Sequence, residues 1–212
     1  VFVNLFIGNS SKIKIKDNFL LINQETNYPW DGKVKFNFDN KEPISARLNI
    51  RVPGWFRNSV MPGSLYNYAQ NEKKIVDLKI NNETEEAKIV DGYIVIEKRN
   101  WSSDDTIEVE FGMSIRKVIS NEKLKSNKGK IAYEYGPIVY CAEEADNPKG
   151  VLDVKISNEY SSNFEFDNYL FDGIGKIILT NKKSEDKKLT LIPYYSWANR
   201  EVGEMAVWLD HN

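Results

Sequence analysis

Alternation of apolar and polar residues at every second position is the feature that most constrains this fold. Between Ala46 and Val52 every second residue is apolar, and the residues between them are Arg47, Asn49 and Arg51. This period places the two kinds of side chain on opposite faces of a β-strand. Similar strand-like runs occur at 1–7, 12–16, 33–38, 75–80, 89–97, 106–111, 131–142, 151–156, 176–180, 189–194 and 205–209. No window carries a sustained helical stripe, so the sequence predicts an all-β fold.

Turn-forming residues separate these runs, as expected for many short strands. The turn signals are Asp31-Gly32, Pro53-Gly54, Pro62-Gly63, Asp91-Gly92, Asn127-Lys128-Gly129 and Asp172-Gly173. Residues 58–74 are rich in Asn, Ser, Gly and Pro and are predicted to be a long loop, and residues 181–188 a charged hairpin tip. A polar stretch at 120–130 follows a strong strand and precedes a new apolar run. We therefore predict two consecutive antiparallel β-sandwich domains, residues 1–116 and 117–212.

Charge and composition exclude several functional classes. The 212 residues contain 29 Lys and Arg against 31 Asp and Glu, a net charge of −2. This balance argues against an electrostatic nucleic-acid binder, which usually has a basic surplus. Mean hydropathy is −0.51, and no apolar run reaches the roughly 20 residues of a membrane helix. One Cys and one His exclude a disulfide scaffold and a Cys-rich zinc module. We predict neither a nucleic-acid nor a membrane partner.

Catalytic chemistry has few candidates. His211 is the penultimate residue, where chains usually fray. Cys141 lies in a strand-like run, where a lone cysteine is usually a small buried residue. Paired carboxylates serve glycosidases as proton donor and nucleophile, but the acidic clusters here are interpreted as solvated loop charge. These clusters are Glu83, Glu85 and Glu86, then Asp104 and Asp105, then Glu143 and Glu144. We assign no catalytic, cofactor-binding or metal-binding residue.

Aromatic residues beside turns are the remaining candidates for ligand binding. Exposed Trp and Tyr rings offer flat apolar faces with a polar edge, which suits them to stacking on sugars. Burial in a sandwich core is the alternative for each of them. The candidate carbohydrate-binding residues are Trp30, Trp55, Tyr194 and Trp197.

Several segments, taken in order, resemble one enzyme family. They are Val3–Ile7, Tyr28–Val34, Arg47–Trp55, Gly92–Ile94 with Trp101, Gly129–Tyr133 with Tyr135–Tyr140, and Pro193–Arg200 followed by Gly203-Glu204-Met205. Together they resemble the C-terminal part of glycoside hydrolase family 127, the β-L-arabinofuranosidase family, once grouped as a domain of unknown function. The resemblance spans almost the whole chain, and the Tyr-Tyr-Ser-Trp-Ala-Asn-Arg stretch is its most specific part.

The resemblance implies that the family's catalytic parts lie outside this chain. In members of that family a helical (α/α)6 barrel is followed by two β-sandwiches, and the resemblance implies the same order for the protein to which this chain belongs. Their acid/base Glu, their nucleophilic Cys and the Glu and Cys ligands of their zinc lie in the barrel, with a Cys-Cys pair shortly before the strand that matches Val3–Ile7. Cys141 matches no catalytic Cys, so no zinc or other cofactor is expected in this chain. Since Val1 lies inside a predicted strand, we expect this to be a piece of a longer protein.

Three functional hypotheses follow. The first is a non-catalytic accessory region of a β-L-arabinofuranosidase-like glycoside hydrolase, inactive on its own, whose partner is the missing N-terminal helical catalytic domain. The second is a carbohydrate-binding module that uses exposed Trp residues to hold a glycan. The third is a purely structural pair of sandwiches. Separation from the barrel should expose apolar surface, so we also expect the isolated chain to self-associate. The sequence assigns no cellular compartment.

Overall fold

The computed structural model describes residues 1–211, apart from the side chains at positions 185 and 186. Its strands are β1 Phe2–Val3, β2 Asn9–Ile15, β3 Asn18–Thr26, β4 Lys33–Phe38, β5 Ile44–Arg51, β6 Tyr66–Tyr68, β7 Asp77–Ile80, β8 Glu83–Glu85, β9 Ile89–Val90, β10 Tyr93–Trp101, β11 Thr106–Glu110, β12 Ile115–Ser120, β13 Lys130–Tyr135, β14 Ile138–Glu143, β15 Lys155–Ile156, β16 Tyr160–Asp167, β17 Ile174–Asn181, β18 Ser184–Pro193, β19 Met205–Ala206 and β20 Leu209–His211. Single 3-10 turns lie at Trp55–Arg57, Lys125–Asn127, Glu144–Asp146, Leu170–Asp172 and Tyr194–Ser196. The all-β prediction is confirmed. Within the described residues no helix is long and apolar enough to cross a membrane.

The chain forms two compact units. Unit 1 comprises Val1–Arg57 and Lys73–Met113, and unit 2 comprises Asn58–Glu72 together with the chain from Ser114 onward. Residues 58–72 thus belong with the second half of the chain, although they lie within the first half of the sequence. The boundary after residue 116 stays a prediction, since compactness alone does not establish independent domains.

Unit 1 contains two sheets that share one core. One has the order β1-β5-β10-β9 and the other β2-β3-β4-β11-β7-β8. The neighbours are antiparallel except for the parallel pair β1–β5. The alternation around Leu48 and Ile50 turns these side chains inward, and they join Phe36 and Val109 of the other sheet in a single buried cluster. This two-sheet arrangement matches the sandwich expected from the sequence.

Unit 2 is one branched hydrogen-bonded network. Its main path runs β15-β20-β13-β14-β18-β17-β16, with β12 and β6 attached at β13 and β19 attached at β14. The pairs are antiparallel except β15–β20. Ile177, Leu179 and Leu191 of the β17–β18 hairpin are buried, and so is Ile131 of β13.

The structure differs from the sequence expectations at several strands. The predicted run 131–142 is two strands, because Gly136 turns the chain with a φ of +55°, a conformation that favours glycine. The predicted loop 58–74 contains β6, which pairs with β12 through Tyr68 and Val118. Strands β3, β8, β12 and β16 were not predicted either. β3 carries consecutive apolar residues, whereas most side chains of β16 are exposed.

Candidate functional site

The turn that follows β18 carries three large exposed aromatic side chains. The exposed fractions of Tyr194, Tyr195 and Trp197 are 45%, 65% and 39%. Tyr194 begins a 3-10 turn that follows Pro193 and ends at Ser196, and Ala198, two residues further on, lies in the left-handed region with a φ of +60°. The rings of Tyr194 and Trp197 are nearly parallel, with an angle of 13° and centroids 6.4 Å apart. We call residues 194–200 the aromatic loop.

A buried charge cluster fastens the far end of the aromatic loop. The Arg200 guanidinium donates to Glu143 at 2.6 Å and to both carboxylate oxygens of Asp146 at 2.6 and 2.8 Å. The second oxygen of Glu143 accepts the backbone N–H of Ala198 at 2.9 Å. Hydrogen bonding to Asp146 and Glu143 raises the pKa of Arg200 further above its already high ordinary value. Because the Glu143 side chain is only 3% exposed, this cluster is far less screened than a surface ion pair.

Local hydrogen bonds stiffen the rest of the loop. The Ser196 hydroxyl donates to the Pro193 carbonyl at 2.7 Å, and the Asn199 amide donates to the Ser196 carbonyl at 3.1 Å. Just beyond the loop, the backbone N–H of Glu144 donates to the Glu204 carbonyl, and the backbone N–H of Glu204 donates to the Glu144 carboxylate, both at 2.9 Å. The loop therefore presents its aromatic rings from a fixed backbone. Such pre-organisation lowers the entropy cost of binding a ligand or partner.

An uncommon buried hydroxyl lies beneath the aromatic loop. Tyr140 of β14 is paired in register with Pro193, at the base of the loop. Tyr140 is 1% exposed, and the described residues offer its hydroxyl no hydrogen-bond partner. Burial, and then interaction with Tyr195 and Tyr135, raises the pKa of Tyr140. Buried hydroxyls nearly always have a hydrogen-bond partner. Among the described residues, the Tyr140 hydroxyl is therefore an unusual, unsatisfied polar group close to Tyr195.

The four aromatic residues predicted from the sequence lie in different settings. Trp55 is 6% exposed in the core of unit 1, where its indole N–H donates to the Tyr28 hydroxyl at 3.1 Å. Its ring is therefore not open to a sugar. Trp30 is half-buried in a turn of unit 1. Tyr194 and Trp197 of unit 2 are brought together, and the structure adds Tyr195, which the sequence analysis did not single out.

Cys141 occupies a setting that disfavours nucleophilic chemistry. It is 1% exposed within β14. Burial, together with the charges of Glu143 and Asp146, raises the pKa of its thiol to about 12. Only a thiolate is an effective cysteine nucleophile or metal ligand, so Cys141 stays an unreactive thiol at neutral pH.

The acidic residues do not form a metal centre in the part of the chain that the structure describes. No group of three or more His, Cys, Asp and Glu side chains there is placed to hold a metal ion, so the residues present do not fit a zinc site. The interpretation of Glu143 as solvated loop charge was wrong. Its carboxylate is buried because Arg200, distant in sequence, neutralises it.

Both halves of the chain match models of known protein families. Residues 1–113 match the model described as Beta-L-arabinofuranosidase, GH127 middle domain. Residues 115–210 match the model described as Glycoside hydrolase family 127 C-terminal domain. The matches meet between Met113 and Ile115, and together they span almost the whole sequence.

Individual relatives show the same likeness. The chain is 28% identical to a non-reducing end beta-L-arabinofuranosidase of Bifidobacterium longum, over 96% of this chain and 32% of that protein. It is 35% identical to the solved GH127 beta-arabinofuranosidase BT3674, with a TM-score of 0.87 over 100% of this chain and 34% of the other. A GH127 beta-L-arabinofuranosidase from Geobacillus stearothermophilus T6 is 29% identical, with a TM-score of 0.81 over 100% and 33%. The chain thus spans about a third of the length of these relatives.

Proposed function

This chain belongs to glycoside hydrolase family 127, and from that membership we propose that it is a non-catalytic accessory region of a longer glycoside hydrolase acting on β-L-arabinofuranosides. In this proposal the helical catalytic domain, and the zinc that the family resemblance implies, belong to the part of the protein outside these residues. The length of the relatives supports this division, because the chain accounts for only 32% of the Bifidobacterium longum enzyme.

The buried thiol of Cys141 is the observation that carries the proposal. The resemblance implies a nucleophilic cysteine, and the sequence contains one cysteine only. That cysteine is enclosed in β14, with its pKa raised to about 12. A thiol in such surroundings is a poor nucleophile towards a sugar at neutral pH, which supports the proposal that the nucleophile of the whole enzyme is supplied from elsewhere.

An assay of the purified chain on an aryl β-L-arabinofuranoside tests the proposal. We expect no release of the aryl alcohol by the chain, and release by the full-length protein measured in parallel. Cys141→Ser is the matched variant, and in the full-length protein it should leave turnover unchanged. Turnover by the chain alone, or loss of turnover in a folded full-length Cys141→Ser enzyme, would show that the reaction uses this region.

Exposed apolar side chains in unit 1 support packing against another part of the protein. Phe2, Leu5 and Ile7 are 65%, 65% and 63% exposed within a short segment. Large apolar side chains exposed together in one segment of the chain are typical of an interface. In the isolated chain we propose that it drives self-association.

Sedimentation velocity measures this association directly. We expect the chain to form concentration-dependent oligomers and a variant with Leu5→Ser and Ile7→Ser to shift towards monomer. Ile75→Ser is the control, because Ile75 is 77% exposed elsewhere in unit 1. A monomeric parent chain, or equal effects of the two variants, would rule out this role for the segment.

Carbohydrate binding is the second candidate function, and the aromatic loop favours it. The near-parallel, exposed rings of Tyr194 and Trp197 could stack on a sugar. Calorimetric titration of the chain with arabino-oligosaccharides should then give binding that Trp197→Ala abolishes. Tyr169→Ala is the control, since Tyr169 is 96% exposed and lies outside the loop. Absence of binding at millimolar ligand would eliminate this candidate.

A further inference from the structure

Apart from the aromatic loop, unit 2 carries an open cleft with a volume of about 520 Å³. The turn after β14, the short strand β15, the start of β16 and the middle of β18 form its walls. Four lysines from these elements line it: Lys149, Lys155, Lys187 and Lys188. The cleft falls within the size range of small-molecule sites, about 300–1,000 Å³.

The cleft is more positively charged than the chain as a whole. The chain as a whole is nearly neutral, with a net charge of −2. Asp146 is the only carboxylate among the described lining residues, and both its oxygens are bound to Arg200. Within the described part of the chain, no ion pair joins the four lysines to a carboxylate. The cleft therefore concentrates positive charge, and an anion is the ligand that it would attract.

A buried asparagine holds the walls of the cleft in place. Asn147 is 7% exposed, and its side chain both donates to the Thr190 carbonyl at 2.9 Å and accepts the Thr190 N–H at 2.8 Å. This fastens the turn that carries Lys149 to β18. At the end of the turn Gly150 has a φ of +82°, and a Cβ there would lie 3.1 Å from the Glu204 carboxylate. The lysines thus project from a fixed frame.

The cleft also offers an aromatic surface. Tyr160 is half-buried in its wall, and the buried Leu189 contributes to the lining beside the lysines. An aromatic residue in a cleft that four lysines also line suits a ligand with one apolar face and one anionic group. A sugar acid has both features, because its ring offers C–H groups and its carboxylate offers charge.

We propose that this cleft binds a uronate residue of an acidic glycan. Lys149 and Lys188 pair with the sugar carboxylate, and the Tyr160 ring packs against the sugar. The choice of a glycan over other anions rests on the proposed function as part of a glycoside hydrolase. The site would attach the region to an acidic polysaccharide without taking part in hydrolysis.

Calorimetric titration of the chain with a galacturonate oligosaccharide tests this site. The fully methyl-esterified oligosaccharide is the neutral matched probe, and inorganic phosphate and single-stranded DNA are the competing anions. We expect binding of the uronate at low ionic strength, weaker binding as salt is added, and no binding of the ester. A double variant with Lys149→Gln and Lys188→Gln should bind roughly tenfold more weakly, since each exposed ion pair contributes roughly two- to fivefold.

The control variant carries Lys123→Gln and Lys125→Gln, which make the same change in net charge on exposed lysines outside the cleft. It should bind as the parent chain does. Equal loss in both variants, binding of the ester, or binding of phosphate or DNA without the uronate would overturn the proposal. Hydrolysis by the chain would refute the accessory role alone, because this titration measures binding and no turnover.

Discussion

Replacement of Arg200 by methionine should destabilise unit 2 strongly, because it removes the counter-charge of a buried carboxylate. The Glu143 side chain is 3% exposed and Arg200 is 24% exposed. Breaking a buried pair by removing one partner typically costs about 3–5 kcal/mol. Here Arg200 is partly solvated and Glu143 keeps the Ala198 N–H, so we expect a loss of about 2–4 kcal/mol.

Urea unfolding followed by far-UV circular dichroism measures this loss as a lower midpoint at constant slope. Lys183→Met is the control, because the pair of Lys183 with Glu159 lies in the same unit but is 76% and 42% exposed. An exposed pair of this kind contributes at most about 1 kcal/mol. The contrast between the two variants isolates the effect of burial.

A double-mutant cycle with Glu143→Gln gives the decisive result. Once Glu143 is neutral, removal of Arg200 leaves only the Asp146 carboxylate, which is 15% exposed, without its counter-charge, so the double variant should lose less than the sum of the single losses. If the losses are additive, or if Arg200→Met costs no more than Lys183→Met, the Glu143 carboxylate is hydrated in solution and the reasoning is wrong.

Two other buried groups give predictions of their own. Burial raises the pKa of Cys141 to about 12, so a disulfide reagent at pH 8 should label it only after unfolding, and rapid labelling of the folded chain would refute this. Burial also raises the pKa of Glu134 above its ordinary value of 4.5, although hydrogen bonding from Tyr68 opposes the rise. The contribution of Glu134 to the free energy of unfolding should therefore be largest below pH 4.5 and should be lost as pH rises through the pKa that Glu134 has in the folded state. Glu134→Gln should remove that part of the pH dependence in urea midpoints, and an unchanged profile would count against it.

The local pattern predicted the parts of the fold that depend on neighbouring residues. The alternation around Leu48 fixes which face of β5 is buried, and the Asp91-Gly92 turn marks the start of β10. Pairing between distant segments was not predictable in this way. Strand β6 has only three residues and pairs with β12, at least 50 positions away in the sequence.

The candidate site, too, depends on contacts between distant segments that the sequence pattern does not predict. The aromatic character of Tyr194 and Trp197 made them candidates, but no sequence pattern distinguishes them from Trp55, which is buried. Their exposure depends on where β18 ends relative to β14. The role of Glu143 depends on Arg200, which is 57 positions away, and sequence spacing carries no record of that contact.

One carboxylate links the aromatic loop to the lysine-lined cleft. Asp146 lines the cleft and at the same time binds Arg200 through both oxygens. Arg200 therefore neutralises the carboxylate that would otherwise compete with an anionic ligand for the lysines. It follows that Arg200→Met should weaken uronate binding even under conditions in which the variant is fully folded.

Addition of Asp146→Asn separates this electrostatic effect from a structural one. Removing the freed charge should restore uronate affinity in the Arg200→Met background, whereas it cannot restore the guanidinium contacts that hold the aromatic loop. Calorimetric titration of both variants, with folding checked by circular dichroism, makes the comparison. Affinity that stays low in the double variant would mean that Arg200 supports the cleft through the position of the 144–146 turn and not through the charge of Asp146.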